Sequence, residues 1–128
     1  MATELLFKDE CFRLVGLCMK VYAKLGRGFK EIIYKDALEI EFKKESDLVY
    51  EREKRFAIVY DGIILQHKFN ADFLVFNSIV LEIKAVSEIH SDAFRQTLNY
   101  LKAADVKLGI LINFGTNRLE FQRIVCTY

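Results

Sequence analysis

The chain has 128 residues, 52% of them apolar, with 11 Phe, 6 Tyr and no proline. That length suits one domain, residues 1–128, with one sizeable core, and the composition excludes disordered, collagenous and fibrous classes. Its 19 basic and 18 acidic residues leave a net charge of +1; that sum does not announce a nucleic-acid binder and leaves a local basic cluster open.

A helix is predicted from about Thr3 to Leu25, where Leu5, Phe12, Val15, Met19 and Tyr22 recur at helical spacing between charges. Glu4, Lys8, Asp9, Glu10 and Arg13 interrupt any run long enough for a signal peptide. No segment has the apolar length of a membrane span. Cys11, Cys18 and Cys126 lack the close pairing of a zinc site, and Cys11 and Cys18 fit one helical stripe. Buried reduced thiols in a cytoplasmic protein, with no membrane partner, are expected.

Gly26 and Gly28 end the first helix, and a second is predicted from about Phe29 to Lys44. Phe56, Ile58 and Tyr60 then alternate as a strand, and Asp61-Gly62 is a hairpin signal. Two more strands, Ile63–Phe76 and Ile79–Val86, flank a turn at Asn77-Ser78, giving a three-stranded meander. A helix over about Ser91–Ala104 leads to the apolar strand Leu108–Phe114, which suits burial on both faces. Phe121–Cys126 adds an edge strand. The unit from Ile79–Val86 through the helix to Leu108–Phe114 has crossover length, so its two strands should be parallel. The expected fold class is α/β (α+β): a mixed sheet flanked by helices.

The central hairpin carries the chemistry. Ala71, Phe73 and Val75 share one face of its first strand, with Asp72 opposite; Ile79, Leu81, Ile83 and Ala85 share a face of the second, leaving Glu82 and Lys84 opposite. Aligning the apolar faces requires Asp72 to stand across from Glu82, with an odd-numbered turn, most simply three residues. Two close carboxylates repel unless a cation sits between them. A hard divalent ion such as magnesium accepts one or two carboxylates and takes phosphate oxygens in its open positions. Lys84, one strand step beyond Glu82, could position or deprotonate an attacking water. The same pattern is also met by a solvated cross-strand charge cluster.

Other positions bear on that choice. Glu31 falls on the stripe of Tyr34, Leu38 and Phe42 in the second helix, whose opposite face holds Phe29, Ile33, Ala37 and Ile40. A helix apolar on two faces is sandwiched, so Glu31 should be partly covered. Its place in the first helical turn is the plainer account. Gln96 and Tyr100 are neighbours on the third helix, Gln96 well away from the core stripe of Phe94, Leu98 and Leu101 and Tyr100 on its flank. Lys20, Lys24, Arg27, Lys30 and Lys35 form either a solvated rim or a flank that meets a nucleic-acid backbone. His67 and His90 read as surface or hydrogen-bonding residues.

The spacing Gly28-x-x-Glu31-x-x-Tyr34 resembles the signature of the GxxExxY proteins, small bacterial members of the PD-(D/E)XK nuclease superfamily. Ala71-Asp72-Phe73-Leu74-Val75, Leu81-Glu82-Ile83-Lys84-Ala85, Gln96-x-x-x-Tyr100 and Leu108-Gly-Ile-Leu-Ile-Asn113-Phe-Gly115 follow in the matching order. The Gln-x-x-x-Tyr element is also similar to the last motif of RecB-like nucleases. The resemblance implies a restriction-endonuclease-like fold in which Asp72 and Glu82 ligate magnesium, with manganese as a substitute. It implies the Ile83 carbonyl as a further ligand, Lys84 beside the water nucleophile and Glu31 completing the metal site. Gln96 and Tyr100 would contact phosphate or brace the centre. Related sequences often carry arginine two residues before the aspartate, where this chain has Asn70.

Besides a structural or regulatory subunit whose charged cluster is inert, two functions remain open at this stage. One is a magnesium-dependent nuclease that hydrolyses nucleic acid, DNA ahead of RNA, with a second copy or a protein partner helping to grip a duplex. The other is an inactive module of the same fold that binds nucleic acid or a partner.

Overall fold

Apolar residues fill both faces of the two strands that close the crossover, and this fixes the layering of the molecule. The computed structural model describes residues 6–127. In chain order the elements are α1 (Lys8–Leu25), α2 (Glu31–Lys43), β1 (Tyr50–Phe56), β2 (Val59–Tyr60), β3 (Ile63–Ile64) and β4 (Phe69–Val75). β5 (Ile79–Lys84), α3 (Ser91–Ala104), β6 (Leu108–Asn113) and β7 (Glu120–Val125) complete them.

Five strands form one mixed sheet in the order β1-β4-β5-β6-β7. β5 and β6 are parallel, and the other neighbours are antiparallel. The crossover through α3 and the both-faces-covered β6 are therefore as expected: every residue of β6 is buried. On one side of the sheet, Phe73, Val75, Leu81 and Ile110 pack with Leu14, Tyr34, Leu38 and Phe42 of α1 and α2. On the other, Ala71, Leu74 and Val80 pack with Leu101 of α3 and with Cys126. Gly109 lets α3 sit close on the sheet, since a Cβ there would meet Thr97 at 3.2 Å and Leu101 at 3.3 Å. The observed fold is the single α/β domain with flanking helices that the sequence implied.

Several local expectations need correction. The Thr3–Leu5 part of the predicted first helix lies outside the described residues, and α1 begins at Lys8. Its core stripe is Cys11, Leu14, Val15, Cys18 and Val21; Phe12 is 82% exposed and Met19 points outward as well. Adding the two cysteines as small apolar residues moves the apolar arc by about one position. All three cysteines are buried. α2 buries Tyr34, Leu38 and Phe42, yet Phe29, Ile33 and Ile40 are exposed, so the helix is covered on one face within this chain.

The meander also differs. Its first full strand is Tyr50–Phe56, which pairs with β4, while Val59–Tyr60 and Ile63–Ile64 form a separate short hairpin. Charged residues hid β1: Arg52 lies over the Phe73 ring and pairs with Asp36 and Glu39, so its stem does the covering. Asp61 and Gly62 both have positive φ, 52° and 75°, the geometry a two-residue hairpin of right-handed twist requires.

Candidate active site

The register of the central hairpin is the expected one. Phe73 pairs with Leu81, Leu74 with Val80 and Val75 with Ile79, which puts Asp72 level with Glu82. The turn is the three residues Phe76, Asn77 and Ser78, with Phe76 and Asn77 both at φ 55°.

At the level of Asp72 the backbone ladder gives way to side chains. The Asp72 N–H donates to Glu82 Oε2 at 2.8 Å, and the Ile83 N–H donates to Asp72 Oδ2 at 2.7 Å. Each carboxylate thus takes the place of a ladder carbonyl in the gap between β4 and β5. On the β1 side, pairs are formed at Arg52–Phe73 and Lys54–Ala71 but not at Glu53–Asp72, where Glu53 has φ 54°. Side chains also change sides here. Phe73 and Val75 belong to the α1/α2 side, whereas Ala71 belongs to the α3 side with Leu74. The expected common face of Ala71, Phe73 and Val75 is therefore broken at Asp72. Phe69, two residues before Ala71, stacks on Tyr100 of α3 with ring centroids 4.0 Å apart.

β5 alternates as expected. Leu81 and Ile83 face α1 and α2, while Val80 faces α3; Glu82 and Lys84 share the parity of Val80. Glu82 is 9% exposed. Burial, and then the charge of Asp72, push its carboxyl up to about 8, against the opposing pull of the Asp72 N–H, Lys84 and Lys35. Tyr100 is half-buried, and burial together with the charge of Glu82 raises its hydroxyl's pKa. Asp72, Glu82, Lys84 and Tyr100 are brought together. Gln96 is exposed one turn earlier on α3.

Glu31 takes a different post. Its Oε2 accepts from the Ala85 N–H at 3.3 Å, directly after Lys84. Glu31 thus stands at the end of β5, and among the described residues no group of three or more acidic, histidine or cysteine side chains is assembled as a ligand cluster. The rest of its motif explains the placement. Gly26 and Gly28, at φ 67° and 112°, turn the chain so that the Tyr34 hydroxyl donates to the Gly26 carbonyl at 2.6 Å. The Tyr34 ring stacks on Phe114 at 4.4 Å. Asn113, fully buried, donates to the Val86 carbonyl at 2.9 Å and accepts from the Val86 and Gly115 N–H groups. These contacts pin the end of β5 that displays Lys84.

Two residues of the centre were not singled out from sequence. Lys35 was grouped with the rim, but its ammonium bridges Asp72 Oδ1, at 3.0 Å, and the Glu53 carboxylate. The signal was its place four residues after Glu31, on the same helical face. Burial works to lower the pKa of Lys35, and the two ion pairs outweigh it and raise it. Lys20 of the rim meets Glu41 at 3.0 Å. His90 Nδ1 caps α3 by accepting from the Asp92 N–H, and His67 is exposed. Asn70 accepts from Arg55 Nε at 3.5 Å, so a guanidinium from β1 stands two residues from Asp72.

A model of the PD-(D/E)XK nuclease superfamily matches residues 8–124. The chain belongs to that superfamily. No curated protein matches it. A similar solved structure is that of SSO0001, at 24% identity and a TM-score of 0.58, which covers 75% of this chain. The present chain spans half the length of that structure, and the likeness is one of fold. Membership gives the Asp72, Glu82 and Lys84 positions a family context, because superfamily members are typically metal-dependent nucleases. The donor set suits such an ion: the buried Glu82 carboxyl beside the Asp72 carboxylate offers hard oxygen donors.

Proposed function

We propose that the protein is a metal-dependent nuclease that hydrolyses phosphodiester bonds of nucleic acid, with DNA as the expected substrate. The observation that carries this reading is the opening between β4 and β5, where Asp72 and Glu82 face each other at the cost of Glu82's ionisation. A covered carboxyl beside a second carboxylate is disfavoured unless a cation offsets the charge.

Asp72 and Glu82 would hold the ion, with the Ile83 carbonyl as the next donor along the strand. Magnesium, with manganese as its substitute, would supply neutralisation of phosphate charge and an acidified water. Lys84 projects from the same side of β5 as Glu82, where its ammonium can orient the attacking water and offset charge on the phosphate. No covalent intermediate is required. Glu31, through the Ala85 N–H, holds the Lys84 end of β5 in place. Tyr100 braces Glu82's side of the centre from α3, and Gln96, exposed one turn away, is placed to meet a phosphate. Arg55, and Lys68 whose ammonium donates to the Leu65 carbonyl, are cations toward the outer end of the β1–β4 ribbon. They would meet backbone phosphates flanking the scissile bond. A second copy or a partner protein completing the duplex grip is part of the same reading.

The second reading is a module that binds nucleic acid without cutting. Lys35 on Asp72 favours it, because one carboxylate is already neutralised. The two are separated by a cleavage assay on linear, circular, single-stranded and branched DNA and on RNA, with magnesium or manganese. Cleavage is expected for the natural chain, with a loss of at least about a hundredfold for Lys84→Ala, the lower end of general acid–base contributions. Equal cleavage by the two proteins would identify a contaminant, and binding without cleavage would establish the module.

A further inference from the structure

The proposed chemistry leaves Lys35 and Glu53 without a task, although both reach Asp72's level of the sheet. The Lys35 side chain is 11% exposed, and its ammonium is divided between Asp72 Oδ1 and the Glu53 carboxylate. Glu53 is 46% exposed at its side chain and stands in the left-handed region at φ 54°, opposite Asp72 where the β1–β4 ladder is interrupted. A non-glycine residue there is strained and persists only where the surroundings enforce it. The second oxygen of Asp72 accepts from the Ile83 N–H. Both oxygens of the carboxylate proposed to hold the ion are therefore engaged, one of them by a charge of the ion's own sign.

We propose that Lys35 is a resident counter-ion of Asp72 that a divalent cation must displace, and that Glu53 is the seat onto which its ammonium then withdraws. The inference rests on Asp72 and Glu82 being the cation site. A divalent ion on Asp72 would lie within a few ångströms of the ammonium, and like charges so close in a covered site repel strongly. Lysine has a flexible four-carbon stem and three freely oriented donors, so it can give up Asp72 while keeping Glu53. A buried ammonium with no second partner would be stranded; Glu53, half in solvent, removes that penalty. Lys35 is thus a positioning residue: it keeps the centre closed and neutral before the cation arrives, and it sets the affinity at which the cation enters.

A plain long-range charge effect would also make Lys35→Met tighten cation binding and Glu53→Gln weaken it. The distinguishing quantity is the coupling between the two. If Glu53 acts through Lys35, Glu53→Gln weakens binding while Lys35 is present and has almost no effect once Lys35 is methionine.

The experiment is a manganese titration of the full chain at fixed pH and salt, read by electron paramagnetic resonance of free Mn2+. It compares the natural chain, Lys35→Met, Glu53→Gln and the double variant, each shown folded by circular dichroism in EDTA. Lys35→Met should bind on the order of tenfold tighter, a usual size for touching, coupled residues. Glu53→Gln should bind several-fold weaker, and the double variant should match Lys35→Met. Binding by Lys35→Met where the natural chain shows none would support the proposal in its strongest form. Additive effects, or weaker binding by both single variants, would overturn it while leaving the cation site standing. Should Lys35→Met not fold, unchanged or tighter binding by Glu53→Gln overturns it, and weaker binding together with natural-chain affinity for Lys35→Arg supports it. Absence of binding in every variant would remove the cation site itself, and the proposal with it.

Discussion

Glu82 holds its proton up to about pH 8 because burial and the facing Asp72 both penalise its charge. In the unfolded chain the same group ionises near its ordinary value of 4.5. Between those limits the folded state binds more protons than the unfolded state, so stability falls as pH rises through the window. Glu82→Gln keeps an oxygen for the Asp72 N–H and removes the titration. In EDTA, the melting temperature of the natural chain should drop by several degrees relative to Glu82→Gln between about pH 5 and about pH 8. Parallel melting curves would mean that Glu82 is ionised throughout. At this scale the register that sets Asp72 level with Glu82 was legible in the sequence, because the parity of the turn allows few alternatives. Lys35 and Glu53 were not. A lysine in a run of basic residues looks like surface, and a glutamate in a charged strand gives no hint of a left-handed backbone.

Among the elements, the end of β5 is braced from two sides. Glu31 of α2 meets Ala85, and Asn113 of β6 closes on Val86. A Cβ at Gly115 would lie 2.3 Å from both the Val86 nitrogen and its carbonyl oxygen, so no side chain fits without moving that backbone. Gly115→Ala should cost about 1–3 kcal/mol, as overpacking does, and should lower cleavage by shifting Lys84. Gly16→Ala is the control, since a Cβ on that helical residue meets nothing within 4 Å and should be slightly stabilising. Thermal melts of the two variants decide the matter; equal stability would refute the close approach. The Asn113 and Gly115 motif was visible in the sequence, but its purpose needed the neighbouring strand. β1 was missed because Arg52 covers core with its stem, a role that binary apolar patterning does not register. The exposure of Ile33 and Ile40 was missed for the converse reason: a second apolar stripe implies a cover, and this chain does not provide it.

One layer of two helices and one of a single helix clamp the sheet, and the strands part where Asp72 and Glu82 meet. No helix among the described residues is long and apolar enough to cross a membrane. The mixed sheet and its crossover could be read from sequence because β5, α3 and β6 each show unmixed periodicity. The parting of the strands could not, since it arises from hydrogen bonds exchanged between side chain and backbone. In the proposed reading, that parting makes the centre a cation seat. It is tested most directly by an anomalous difference map from crystals soaked in manganese. A single strong peak bounded by the Asp72 and Glu82 carboxylates and the Ile83 carbonyl is the expected result. A map with no peak there, from crystals in which both carboxylates are well ordered, would contradict the metal-dependent reading.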